Sequence, residues 1–185
     1  MAYETRKLVM AATGGFLIAV LIISGFVWMG ILPVTEAKGL LLIKVKDDPA
    51  SLEELWLNIT AVKVHRKGGG SETWYDVPLT SPPWFRFDLL EIETVELAPV
   101  LAVGQLQVGN YTEIRFYIAD ANATIDGVQD IPLQITTKWV MVKIHFTIEE
   151  DTITSVVIDI EVNEQPILKS GKLIPVAKAS VEYVE

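Results

Sequence analysis

Between Lys7 and Glu36 the chain carries no charged side chain, and Leu8–Leu32 reads almost continuously apolar. At ~1.5 Å rise per residue, a 25-residue helix exceeds the ~30 Å hydrocarbon core of a bilayer. The run is therefore expected to be one transmembrane helix, holding membrane lipid through residues 8–32. Trp28 stands where an interfacial anchor belongs, and Pro33 stops a helix at that boundary. Arg6 and Lys7 precede the run, so the positive-inside rule keeps the N-terminus cytoplasmic and exports everything after Pro33. A cleaved signal peptide needs a shorter apolar core and a small-x-small site, for which Ser24-Gly25 is a poor candidate. An uncleaved signal anchor fits better, and a pilin-like N-terminus is a variant of it. Ala11, Gly15 and Ala19 are spaced to let two such helices approach closely.

Charge excludes one large class of partner. Lys and Arg total 15 against 24 Asp and Glu, a net charge of −9. A chain that acidic gains nothing from counterion release, so no nucleic acid is expected to bind. The absence of cysteine removes disulfides, thiolate metal sites and a cysteine nucleophile.

After Pro33 the pattern changes to short alternating runs rich in Val, Ile, Thr and aromatics, bounded by turn signals. Strands are expected near Gly39–Lys46, Leu55–His65, Thr73–Val77, Trp84–Leu89, Tyr111–Ile118 and Ala123–Ile125. Others follow near Leu133–Thr136, Val140–Ile148, Thr154–Ile160 and Leu173–Tyr183. Asp126-Gly127 and Glu149-Glu150-Asp151 read as turns. Leu89–Leu101 is the only helical candidate, and Pro99 shortens it to about two turns. The expected fold is thus mainly β, an antiparallel β-sandwich (Ig-like or transthyretin-like) preceded by one N-terminal transmembrane helix. Residues 1–34 form the cytoplasmic stub and signal anchor, and 35–185 one extracytoplasmic domain.

Three segments carry a resemblance: Ile59-Thr-Ala-Val-Lys-Val-His-Arg66, Phe87-Asp-Leu-Leu90 and Gly109-Asn-Tyr-Thr-Glu-Ile-Arg115. With the Asp47-Asp-Pro-Ala50 turn and Ser170-Gly-Lys-Leu-Ile-Pro-Val-Ala-Lys178, their order resembles a family of exported archaeal and bacterial domains. That family is known only as the domain of unknown function numbered forty-three eighty-two. The resemblance implies an extracytoplasmic β domain on lipoproteins or membrane-anchored surface proteins, with no established activity and no catalytic residues. This chain has no lipobox cysteine, so the apolar helix would do the anchoring.

Three of the four asparagines head Asn-x-Thr sequons, at Asn58, Asn110 and Asn122, all on the side expected to be exported. They are candidate glycosylation sites, Asn110 and Asn122 being the better acceptors because they adjoin turns. His65 and His145, the two histidines, head no hydrolytic or metal motif, and His65 beside Arg66-Lys67 reads as a rim residue. The acid clusters at Asp47-Asp48, Glu53-Glu54 and Glu149–Asp151 lack calcium-loop spacing and read as solvated turns. No metal and no cofactor are expected. Trp74, Trp84 and Phe85 stand in aromatic-rich segments and are candidate partner-binding residues.

Strict alternation places Tyr111 on the outer face with Glu113, Arg115 and Tyr117. Sandwiches often use a tyrosine at such a corner, however, so Tyr111 is expected to be buried and hydrogen-bonded through its hydroxyl. The functional expectation is a non-enzymatic, surface-displayed protein with a structural, adhesive or assembly role, through a protein partner or self-association. The alternatives are an accessory single-pass subunit of a membrane complex and a filament subunit.

Overall fold

Turn chemistry and two-residue periodicity account for most of the chain seen in the computed structural model, which describes residues 36–47, 52–68, 73–91 and 98–182. The apolar run 8–32 lies outside the described residues, and among those described no helix is long and apolar enough to cross a membrane. Ala37–Glu185 forms one compact unit.

The first sheet has strand order β12–β10–β1–β5, with β1 Lys38–Asp47, β5 Val100–Gln107, β10 Ile153–Val162 and β12 Pro175–Glu182. The second is built on β2 Glu54–Arg66 and the 17-residue β6 Gly109–Ile125. β3 Trp74–Asp76 and β4 Phe85–Asp88 share the far edge of β2, and β7 Val128–Pro132 and β9 Trp139–Ile148 share that of β6. A small third pair joins β8 Gln134–Ile135 to β11 Lys172–Leu173. Most pairings are antiparallel, as expected. The exceptions are β8 with β11 and, at the centre of the first sheet, β1 with β10.

The apolar faces of both sheets meet in one core. Leu41, Ile43 and Val45 of β1 and Val156, Ile158 and Ile160 of β10 belong to it, with Leu55, Leu57 and Ile59 of β2 and Ile114, Phe116 and Ile118 of β6. Alternation is interrupted where pairing register shifts. In β2 the buried series runs Leu55, Leu57, Ile59 and then Val62, Val64, because bulges fall between Asn58 and Ala61. In β6 a shift between Tyr111 and Glu113 moves Tyr111 onto the same face as Ile114.

Several expectations need correction. The segments near Tyr111–Ile118 and Ala123–Ile125 are one strand, continuous through its bulges. Within Leu89–Leu101, Leu89–Glu91 is a single 3-10 turn and β5 has begun by Val100. The strand β5, with Gly104 in its middle, has too few alternating polar positions to signal itself. An unexpected helix, α1 Glu164–Ser170, is framed by Asn163, whose side chain accepts the Gln165 N–H, and by Gly171 at φ 62°. The Asp126-Gly127 turn has positive φ at both residues, as a tight hairpin requires.

Candidate functional site

The three segments that carry the resemblance are tied to one another through β2, β5 and β6. Arg66, at the end of β2, donates from Nη1 to Gln107 Oε1 at 2.6 Å and from Nη2 to the Val108 carbonyl at 2.7 Å. Gly109 adopts φ 150°, and a Cβ there would stand 2.9 Å from Arg66 Nε. Glycine thus lets the guanidinium close the corner. Tyr111 follows, 1% exposed, its hydroxyl donating to the Gln107 carbonyl at 2.9 Å. Its ring stacks on Phe146 at 5.3 Å and meets Tyr75 edge-on at 6.3 Å. Burial pushes the Tyr111 phenol above its ordinary value, against the lowering effect of nearby Arg66. At the other end of β2, Asp88 Oδ1 accepts the Leu55 and Leu90 N–H groups at 3.0 and 3.1 Å, which fixes the Phe87–Leu90 turn.

The outer face of the second sheet is different in kind. The pairing register sets Trp74, His65, Glu113 and Lys143 in one row across the strands. Asp76, Lys63, Arg115 and Met141 form the next row, then Ala61, Tyr117 and Trp139. Arg115 lies between two indoles, its Cζ 3.8 Å from the Trp74 ring centre and 4.9 Å from that of Trp139. His65 extends the stack beyond Trp74 at 5.0 Å, and Tyr117 extends it beyond Trp139 at 5.1 Å. Threonine hydroxyls hold the imidazole on both sides: Nδ1 is 3.1 Å from Thr112 Oγ1, and Nε2 is 3.0 Å from Thr73 Oγ1. A second cation–aromatic pair, Arg86 over Trp56 at 5.0 Å, lies further along the same sheet. None of the four described tryptophans belongs to the core.

Trp74, singled out from sequence, is therefore part of this stack, whereas Trp84 and Phe85 are not. Phe85 pairs with Ile59, six residues along β2 from the His65–Trp74 pair, a separation on the order of 20 Å. It leans on the core and on Phe87 at 5.5 Å, leaving Trp84 exposed in the preceding loop. Arg115, Tyr117 and Trp139 were not singled out, because their proximity depends on which strands pair. His145 is exposed on β9.

The sequons stand in unequal settings. Asn110 is exposed at the start of β6, where its Oδ1 accepts the Thr147 hydroxyl at 2.9 Å. Asn58 is half-buried and donates to Asp120 Oδ2 at 3.0 Å. Asn122 is flanked by Trp56 and Pro132 on the neighbouring strands, and its sequon hydroxyl, on buried Thr124, donates to Glu54 Oε2 at 2.6 Å.

A family model described as a domain of unknown function matches residues 38–174, from the first residue of β1 to just past β11. The chain belongs to that family, DUF4382. Among solved structures, MbnP from Methylosinus trichosporium is similar to this DUF4382 chain at 11% identity and a TM-score of 0.31, over 68% of this chain and 76% of that one. No curated protein matches it. The DUF4382 match takes in all three signature segments, including the Arg66–Gly109–Tyr111 corner and Arg115. A cleft of about 520 Å³ borders this corner, lined by Lys67, Asn110, Tyr111, His145 and Glu182 among others. Glu182 there already accepts from Lys44 and Ser155, at 3.0 and 3.1 Å.

Proposed function

We propose that residues 8–32 anchor this chain in the membrane, N-terminus inside, and that the β domain is displayed outside and acts by contact rather than catalysis. The observation that carries this reading is the adjacency of two incompatible patterns. Twenty-five apolar residues end at Leu32, and a strand with a buried apolar face begins at Lys38. Only residues 33–37 separate the two patterns in sequence. In this reading the two sheets form an Ig-like or transthyretin-like β-sandwich, and an aromatic, cationic outer face does the contacting. The role is structural, adhesive or for assembly.

A second reading, an accessory subunit of a membrane complex, is favoured by the Ala11–Gly15–Ala19 spacing, which suits close packing against another helix. Protease added outside intact cells tests the shared topology. It should remove the domain and leave a membrane fragment beginning at Met1. A secreted mature chain starting after residue 24 overturns the anchor. Native purification separates the two readings, since a subunit leaves the membrane in fixed stoichiometry with its complex.

A further inference from the structure

The outer surfaces of the two sheets differ at one cation, although the second also carries ion pairs, Lys63 with Asp76 at 2.9 Å and Arg86 with Asp130 at 3.7 Å. On the first, Lys44 pairs with Glu182, Lys46 with Asp159 and Lys178 with Glu161, so cations and carboxylates satisfy one another. On the second, Arg115 is held between indoles and forms no ion pair with any described carboxylate. Its Nε is shielded from solvent and has no acceptor. A guanidinium covered by rings hydrogen-bonds only through its edge, in its own plane, and a carboxylate is the group that matches that edge.

Charge points the same way. Around Arg115 stand Lys63, Lys138 and Lys143 against Asp76 and Glu113; with Lys63 and Asp76 paired to each other, Arg115, Lys138 and Lys143 face Glu113 alone, on a chain whose net charge is −9. The dimensions suit a macromolecule. Four strands at ~4.8 Å spacing and about twelve residues at ~3.3 Å rise give a face of roughly 19 by 40 Å. That is close to the ~800 Å² each partner contributes to a stable protein interface. Trp, Tyr and Arg are also the residues that dominate such interfaces energetically.

We propose that the outer face of the second sheet docks the acidic surface of another protein, with an Asp or Glu carboxylate meeting the edge of Arg115 between Trp74 and Trp139. The proposal rests on the reading of a displayed, contact-making domain and names its contact surface. A second copy of this chain is the poorer occupant, because its first-sheet face keeps its carboxylates in ion pairs.

Titration of the full chain in nanodiscs with poly-L-glutamate, followed by tryptophan fluorescence, tests this. The net negative charge repels polyanions in general, so saturation reports a local site. Saturable binding is expected, weakened at least tenfold by Arg115→Gln and by Met141→Glu and unchanged by Lys46→Gln on the other sheet. Met141 is 64% exposed beside Arg115, so its variant keeps the test alive even where Arg115→Gln fails to fold. Absence of binding, or an equal loss in Lys46→Gln, overturns the proposal. So does tighter binding of polygalacturonate, which assigns the face to an acidic glycan. A concentration-dependent dimer abolished by Met141→Glu overturns it too, in favour of a second copy. Failure here with the domain still cleaved from intact cells leaves the display reading standing.

Discussion

Tyr111 divides its ring and its hydroxyl between different partners, and the two can be removed separately. Tyr111→Phe keeps the stack on Phe146 and loses the bond to Gln107, for about 1 kcal/mol. Tyr111→Ala also empties a fully buried volume, for about 3–5 kcal/mol, and denaturant midpoints measure both. Titration gives a further signature. With the folded phenol pushed above 10, the unfolded chain loses its proton first. The stability linked to this proton is complete below about pH 10 and is lost as pH rises through the folded value. Midpoints measured from pH 8 to 11 should fall, and Tyr111→Phe should flatten that fall. Asn110, just before it, is the sequon the fold leaves most open, since it is exposed whereas Asn58 is half-buried with its amide nitrogen on Asp120 and the Thr124 hydroxyl is buried against Glu54. Asn110→Gln should lower the apparent mass of protein from a glycosylating host, with Asn58→Gln unchanged. The reverse pattern would mean that modification precedes folding.

At the scale of elements, β1 depends on a glycine that no turn explains. A Cβ on Gly39 would lie 2.1 Å from the Glu149 carbonyl oxygen and 2.8 Å from Ile148 Cγ2. The β9–β10 turn is bound to β1 at that point, Leu40 donating to the Thr152 carbonyl at 2.8 Å and Asp151 to that of Lys38 at 3.1 Å. Gly39→Ala should therefore cost about 1–3 kcal/mol, read as a drop in melting temperature, whereas an ordinary strand glycine gains from alanine. An unchanged melting temperature would mean that the turn yields freely. Most strands were legible because one face is apolar and the other wet, as in β9, where Val140, Val142, Ile144 and Phe146 alternate with exposed residues. Alternation failed where bulges intervene, and it misplaced Tyr111. The corner rule, which sets the hydroxyl's need for an acceptor above simple periodicity, located it correctly. Helix α1 has only two turns, too few for a period to register, yet Asn163 and Gly171 marked both its ends in the sequence.

At the scale of the whole molecule, the sequence specified the strands far better than their neighbours. Trp74 drew notice as an aromatic in a strand, but the site needs Arg115 and Trp139 beside it. Those residues come from β6 and β9, and only the pairing register brings them together. The same limit applies to β1, whose parallel partner begins at Ile153. That pairing has a consequence for how the chain is made. Synthesis delivers β1 before the other strands of the domain, yet it occupies the middle of its sheet. One of its edges is covered when Val100–Gln107 arrives, and the other stays open until Ile153–Val162 has followed. An apolar strand left half-paired is a template for wrong partners, and closing so long a loop is slow. The oldest strand of the domain thus keeps an open edge through much of biogenesis, and its protection waits on a strand that begins only at Ile153.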